Sequence, residues 1–254
     1  MQHNPRKRFG QNFLIDQSII AQIVAGIAPR KNDCIVEIGP GLGALTQPLL
    51  QAVDHLHTIE IDRDIVARLQ NEFLPEQLTI HAQDALKFDF AALGGQLRIV
   101  GNLPYNISTP LLFHLGLFSG NILDMHFMLQ KEVVERMVAM PGTSDYGRLS
   151  VMLQYRFDME HLFTVPPTAF RPAPKVESAI VRMNPRAQDQ LTASNDALFA
   201  EVVTAAFSQR RKMLRNTLQK HLTQDDFASL EIDPSLRAEN LPVEQFVAIA
   251  NFLA

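Results

Sequence analysis

Apolar positions recur along this chain with two different periods, and the alternation between them outlines the fold. Ile19, Ile20, Ile23, Val24 and Ile27 fall at helical spacing, so the pattern predicts a helix over 18–27, capped by Asp16 or Ser18 and ended by Pro29. Short apolar runs follow at Cys34–Ile38, Leu56–Ile61, Leu78–Ala82, Leu97–Gly101 and Asp124–Leu129, each the length of a buried strand. Helical stretches separate them: one from Gly43 to about Leu50, one capped by Asp62 and running to about Phe73, and one opened by Thr109-Pro110 with proline at the first helical position. Further helices are expected up to Met140 and from Tyr146-Gly147-Arg148 onward. Strands alternating with helices mean βαβ units, hence an α/β fold with a parallel, Rossmann-like sheet and helices on both faces. Phe157–Val165 and Val176–Met183 read as strands without a helix between them, which suggests an antiparallel hairpin at the sheet edge. Four prolines between Val165 and Pro174 make their connection a constrained loop. Beyond Pro185 only the helical period remains, with Phe199, Val203 and Phe207 on one face and Phe246, Ile249 and Leu253 on another. The expected organisation is a sheet domain over residues 1–185, carrying a basic arm over 1–15, and a small all-helical C-terminal domain over 186–254.

Composition narrows the setting. The 254 residues, 46% hydrophobic and 20% charged, can bury an ordinary globular core. A single cysteine allows no intrachain disulfide and points to a reducing compartment; Cys34 lies within a strand and reads as a small buried residue. The polar, basic start lacks an apolar signal core, and no stretch approaches the roughly 20 apolar residues of a membrane helix, so a cytoplasmic protein without membrane contact is expected. His55 and His57 share one face of a strand but have no third ligand nearby, so no metal site is expected. The net charge of −4 does not advertise nucleic-acid binding, but its distribution does. Arg6, Lys7 and Arg8 precede the first acid. Arg210, Arg211, Lys212, Arg215 and Lys220 occupy a stretch between Glu201 and Asp225 that contains no acid. Either cluster alone could be a solvated face; two of them beside a base-stacking motif favour phosphate contacts.

That motif is Asn102-Leu103-Pro104-Tyr105, which follows a buried strand. It combines an amide, a rigid turn and an aromatic ring, the set needed to accept both hydrogens of an exocyclic amine and to stack a planar base. Upstream, Gly39-Pro40-Gly41-Leu42-Gly43-Ala44 satisfies G-x-G-x-x-A between a strand and a helix, and Glu60 follows about 20 residues later. The glycines let backbone approach an adenosine ligand, and a carboxylate at Glu60 accepts ribose hydroxyls. Alone, these features fit an oxidoreductase or a methyltransferase. Glu37, just before the glycine loop, would repel a pyrophosphate and welcome a cationic amino acid and sulfonium. Asp84, in Gln83-Asp84-Ala85, could accept the adenine amine or merely cap a helix.

These residues resemble S-adenosylmethionine-dependent methyltransferases acting on adenine N6, and more closely the KsgA/RsmA family of ribosomal RNA adenine dimethyltransferases. The matching stretches are Arg6–Leu14, Glu37–Gly43, Glu60-Ile61-Asp62, Asn102–Ser108, Phe170–Val176, Gln209–Lys212 and Arg237–Leu241, so the likeness spans nearly the whole chain. It implies a class I methyltransferase sheet with S-adenosylmethionine as cofactor and no metal. It also implies that Asn12 and Leu14 close over the cofactor, that backbone at Gly39 and Gly41 packs on its methionine part, that Glu60 binds the ribose and Asp84 the adenine amine, and that Ile61 and Ala85 belong to the same cofactor site.

The implied activity is dimethylation of N6 on two adjacent adenosines near the 3′ end of 16S rRNA in the small ribosomal subunit, by a monomer, during ribosome biogenesis. Asn102 and the Leu103 carbonyl would hold the amine, Pro104 would fix the turn, and Tyr105 and Phe170 would stack the base. Arg6, Lys7, Arg8, Arg210, Arg211, Lys212 and Arg215 would meet RNA phosphates. Two alternatives stand beside it: a large-subunit methyltransferase of the macrolide-resistance type, and a mainly non-catalytic assembly factor.

Overall fold

The structure is a computed structural model that describes residues 12–104 and 107–254. Strand β1 (Phe13–Leu14) leads into helix α1 (Gln17–Ile27), whose start is set by Asp16: its carboxylate accepts from the Ser18 and Ile19 amides at 2.9 and 3.2 Å. Ala28 closes the helix in the left-handed region (φ 47°), donating to the Val24 carbonyl, and Pro29 prevents continuation. The chain then alternates through β2 (Cys34–Ile38), α2 (Thr46–Leu50), β3 (Leu56–Ile59), α3 (Arg63–Glu72), β4 (Leu78–His81), β5 (Leu97–Asn102), α4 (Ser108–Gly116) and β6 (Ile122–Gln130). Helices α5 (Lys131–Val138) and α6 (Arg148–Gln154) precede β7 (Phe157–Val165), β8 (Phe170–Arg171) and β9 (Ser178–Pro185). Helix α4 begins at Ser108, so Pro110 is its third residue rather than its first; it still lies in the first turn, where amides have no intrahelical acceptor.

Seven strands form one sheet in the order β4-β3-β2-β5-β6-β9-β7. The five on the β4 side pair in parallel, and β9 pairs antiparallel to β6. The two late strands are therefore placed at one edge, with β9 inserted between β6 and β7. Ile35, Val36, Ile38, Leu97, Ile99 and Val100 are at most 2% exposed, the near-continuous apolar runs of strands covered on both faces. Cys34, at the start of β2, is half-buried rather than fully enclosed. Strand order reverses between β2 and β5, so the loops at their carboxyl ends diverge and open the crevice where open α/β sheets collect ligands.

At the opposite edge of the strands, Arg98 on β5 is 8% exposed and holds two carboxylates: Asp33 at 2.6 Å and Asp124 at 2.7–3.1 Å. Its guanidinium also donates to the Ile27 and Ala28 carbonyls at the end of α1. One side chain thus satisfies acceptors from the turn before β2, from β6 and from the α1 terminus.

The chain divides into two compact units. One runs to Val134 and resumes over Met159–Pro185; the other comprises Glu135–Asp158 and Arg186–Ala254. Glu135–Asp158, read from the sequence as part of the sheet domain, thus groups with the C-terminal segment. That second unit contains α7 (Asp196–Ala206), α8 (Leu214–Thr217), α9 (Gln224–Ser229) and α10 (Val243–Phe252), around a core that includes Tyr146, Tyr155, Phe199, Leu214, Phe227 and Phe246. No helix among the described residues is long and apolar enough to cross a membrane.

Candidate active site

Four loops at the carboxyl ends of β2, β3, β4 and β5 line a cleft of about 840 Å³ in the first unit, within the size of small-molecule sites. The loop after β2 carries Gly39, Gly41 and Gly43 at φ 69°, 55° and 86°, a left-handed path open to glycine. The Gly39 amide donates to the Ile59 carbonyl at 3.0 Å, which extends the β2–β3 pairing to the lip of the cleft. A Cβ on Gly41 would stand in ordinary contact, 3.4 Å, with the ring of Phe13, so it is the left-handed φ rather than crowding that calls for glycine there.

Two carboxylates face this loop. Glu37, 2% exposed, lies one residue before the end of β2 and accepts from the Thr46 hydroxyl at 2.6 Å, bridging the two ends of the glycine loop. Burial pushes its carboxyl up to about 7, against the Thr46 hydrogen bond, and the nearby Glu60 adds to the rise. Glu60 follows β3, is 7% exposed and accepts from the Asp62 amide at 2.8 Å. Burial raises it too, opposed by the Asp62, Ile61 and Gly41 amides. Two buried acids in one cleft repel an anion and reward a cation. Ile61, an apolar residue left 53% exposed, adds a wall for a flat ring. Asp84 caps the turn Ala85–Lys87 through Oδ1, 3.0 Å from the Leu86 amide, and lines the cleft as well, so the capping and ligand readings coexist: Oδ2 is left as an acceptor. Ala85, 7% exposed, lines the same wall. Left-handed glycines, paired buried acids and a further acceptor fit a cationic adenosine ligand such as S-adenosylmethionine.

Across the switch point, β5 delivers Asn102, Leu103 and Pro104 to the same cleft. Asn102 Nδ2 donates to the Asn12 carbonyl at 3.2 Å. A carbonyl can only accept, so this bond assigns the amide nitrogen to Asn12 and leaves Oδ1 as an acceptor. Leu103 is anchored by its amide to the Met128 carbonyl at 3.2 Å, and the Pro104 carbonyl accepts from Ile107. Sequence reasoning passed over Gly101, although a glycine inside a buried strand is itself a signal. A Cβ there would lie 2.6 Å from the Ile38 carbonyl oxygen and 3.1 Å from the Leu103 side chain. Thr46 was missed as well, because its link to Glu37 depends on the path of the glycine loop.

The third wall comes from a two-stranded ribbon. β1 pairs antiparallel with β8, Phe13 opposite Arg171 and Leu14 opposite Phe170, and the Ile15 amide donates to the Ala169 carbonyl at 2.8 Å. Asn12 and Leu14 are thereby brought to the cleft. Phe170 is 4% exposed and packs in the same core as Leu14 while also lining the cleft, so it anchors its loop and borders the site at once. Tyr105, Arg6, Lys7 and Arg8 lie outside the described residues. In the second unit Arg210, Arg211, Lys212 and Arg215 are all exposed, and Arg210 donates to the Ser144 carbonyl at 2.6 Å. His57 and His81 meet at 3.2 Å on β3 and β4, where burial holds His57 near 4. Among the described residues no three His, Cys, Asp or Glu side chains gather as metal ligands.

A family model described as Ribosomal RNA adenine dimethylase matches residues 2–254. The chain is 65% identical over 252 residues to Ribosomal RNA small subunit methyltransferase A of Nitrosospira multiformis, covering 99% of this chain and 97% of that one. It is 64% identical over 252 residues to the protein of the same description from Thiobacillus denitrificans, covering 99% of each. Among solved structures it resembles a dimethyladenosine transferase from Plasmodium falciparum, with a TM-score of 0.80, 26% identity and coverage of 93% of this chain and 95% of that one.

Proposed function

The chain belongs to the ribosomal RNA adenine dimethylase family, and from that membership we propose that it uses S-adenosylmethionine to dimethylate N6 of two adjacent adenosines near the 3′ end of 16S rRNA. It acts as a monomer on the small ribosomal subunit, in the cytoplasm. Its relatives' descriptions as small-subunit enzymes favour this target over large-subunit RNA.

The observation that carries the proposal is Asn102, which lines the cleft shared with the glycine loop and donates through Nδ2 to the Asn12 carbonyl, leaving Oδ1 to accept. The N6 lone pair of adenine is delocalised into its ring and is a poor nucleophile. S-adenosylmethionine, when bound, supplies a methyl group already activated by a sulfonium. The residues therefore need to orient the amine more than to deprotonate it. Asn102 Oδ1 and the Leu103 carbonyl each accept one N6 hydrogen, which draws the nitrogen toward tetrahedral geometry and turns its lone pair toward the cofactor half of the cleft. Pro104 stiffens the turn that presents the Leu103 carbonyl. Such positioning can contribute up to roughly 7–11 kcal/mol. Acceptors that tighten as positive charge grows on nitrogen favour the transition state over the ground state.

The base must leave its stack to enter the cleft, and Tyr105 and Phe170 form its aromatic walls. Glu60 takes the ribose hydroxyls, Asp84 the adenine amine, Ile61 and Ala85 the ring faces, and the Gly39–Gly41 backbone the methionine part, with Asn12 and Leu14 closing over it. Arg6, Lys7, Arg8, Arg210, Arg211, Lys212 and Arg215 supply phosphate contacts. Asn102→Ala is the direct test. Calorimetry should show S-adenosylmethionine still bound, while methyl transfer to RNA falls by roughly 10²–10³, the scale of losing one oriented polar partner of the transition state. Turnover equal to the wild type would remove Asn102 from this role.

A further inference from the structure

The lip of the cleft carries a charge pattern that the basic clusters do not account for. Phe170 and Arg171 are neighbours on β8, and successive side chains of a strand leave opposite faces. Phe170 turns inward, 4% exposed, and Arg171 is exposed to solvent. Arg171 stands opposite Phe13 in the β1–β8 register, and Phe13 and Phe170 both line the cleft, so the backbone that carries Arg171 borders it. Four residues on, in the same exposed loop, Lys175 is also exposed. The acid that follows, Glu177, is held by Lys131 at 2.9 Å, which leaves the positive charge of Arg171 and Lys175 uncompensated by it.

A base drawn into the cleft remains joined through one sugar to its own phosphates. Those phosphates must therefore pass over the lip, and cations fixed to that lip are placed to meet them. We propose that Arg171 and Lys175 form a phosphate-binding rim that holds the RNA backbone on either side of the nucleotide whose base enters the site. This rests on the reading of the cleft as an RNA adenine site. Arg171 suits the task because a planar guanidinium can grip two phosphate oxygens at once, while Lys175 acts as a point charge. The rim gives the first unit its own hold on the target strand, independent of the basic stretch in the second.

The test is the salt dependence of RNA binding. The full-length wild type and the double variant Arg171→Gln, Lys175→Gln are titrated with a short single-stranded RNA containing two adjacent adenosines, over a range of potassium chloride concentrations. Each phosphate neutralised on a single strand contributes about 0.7 to the slope of log affinity against log salt, so the variant slope should be shallower by about 1.4. Arg171→Lys should recover part of that loss. Calorimetric affinity for S-adenosylmethionine should match the wild type, which separates a lost phosphate grip from a damaged fold. Wild-type binding accompanied by an unchanged variant slope would overturn the rim alone. Failure of the wild type to bind the RNA at any salt concentration would overturn the RNA reading and the rim together.

Discussion

Gly101→Ala introduces one methyl group at the point where the two halves of the cleft meet. Strands β2 and β5 run side by side, with Glu37 paired to Val100, so Gly101 lies beside Ile38 at the carboxyl ends of both. The added Cβ would sit 2.6 Å from the Ile38 carbonyl oxygen, about 0.8 Å inside the 3.4 Å at which such contacts become ordinary. The obstructing atom is backbone and cannot rotate away, and Leu103 closes the other side at 3.1 Å. The strands must therefore part by most of an ångström where one leads into Gly39 and the other into Asn102. Overpacking of this kind costs about 1–3 kcal/mol of stability. A displacement near 1 Å at a reacting group costs roughly 10² in rate. The assay pairs urea unfolding with methyl transfer to small-subunit RNA. Gly120→Ala is the control, since a Cβ there meets nothing within 4 Å. A Gly101→Ala protein that unfolds and turns over like the wild type would show that strand spacing at this point does not set the geometry of the site.

Two further outcomes follow from the buried charges. Glu37, raised to about 7, favours the protonated form in the folded protein, so its contribution to stability is complete below the ordinary carboxylate range and is lost as pH rises through about 7. The groups acting on it are Glu60 from the end of β3 and the Thr46 hydroxyl from α2, with uncharged Thr58 and Val100 flanking it in the sheet. Glu37→Gln should therefore flatten the decline in melting temperature between pH 5.5 and pH 8.5, and calorimetry should find its affinity for S-adenosylmethionine reduced at pH 8.5 but near wild type at pH 5.5; parallel pH profiles for the two proteins would contradict this. Arg98→Met strands the Asp33 and Asp124 carboxylates, whose side chains are 18% and 14% exposed, and should destabilise the protein by about 3–5 kcal/mol in urea titrations, where a loss below 1 kcal/mol would count against the network.

The sheet was legible because its strands are buried on both faces and their apolar runs stand out against the helical period between them. The early helix was legible for a local reason, since Asp16 and Pro29 mark its ends. What escaped was non-local. Nothing near β9 in sequence says that it enters the sheet between β6 and β7, because that placement depends on antiparallel pairing with β6. The segment Glu135–Asp158 carries no signal that it packs with residues beyond 185. At the site, the glycine loop, Glu60 and the Asn102–Pro104 turn could be read because each is a contiguous motif at a strand end. The Asn12–Asn102 bond spans 90 residues, and the Glu37–Thr46 bond depends on three left-handed glycines between its ends. Neither is written in any local pattern. The roles of Asn12 and Leu14 came through resemblance, and the β1–β8 ribbon supplies a physical reason for them to stand at the cleft.

The central claim is that this cleft transfers two methyl groups to N6 of each of two adjacent adenosines in small-subunit RNA. The direct measurement incubates the protein with unmethylated small ribosomal subunits and isotopically labelled S-adenosylmethionine, then digests the RNA and resolves its adenosines by mass spectrometry. Labelled N6,N6-dimethyladenosine should be confined to one fragment near the 3′ end, with two modified residues side by side and little of it when large subunits are offered instead. Label in large-subunit RNA, on a base other than adenine, or in neither RNA would contradict it.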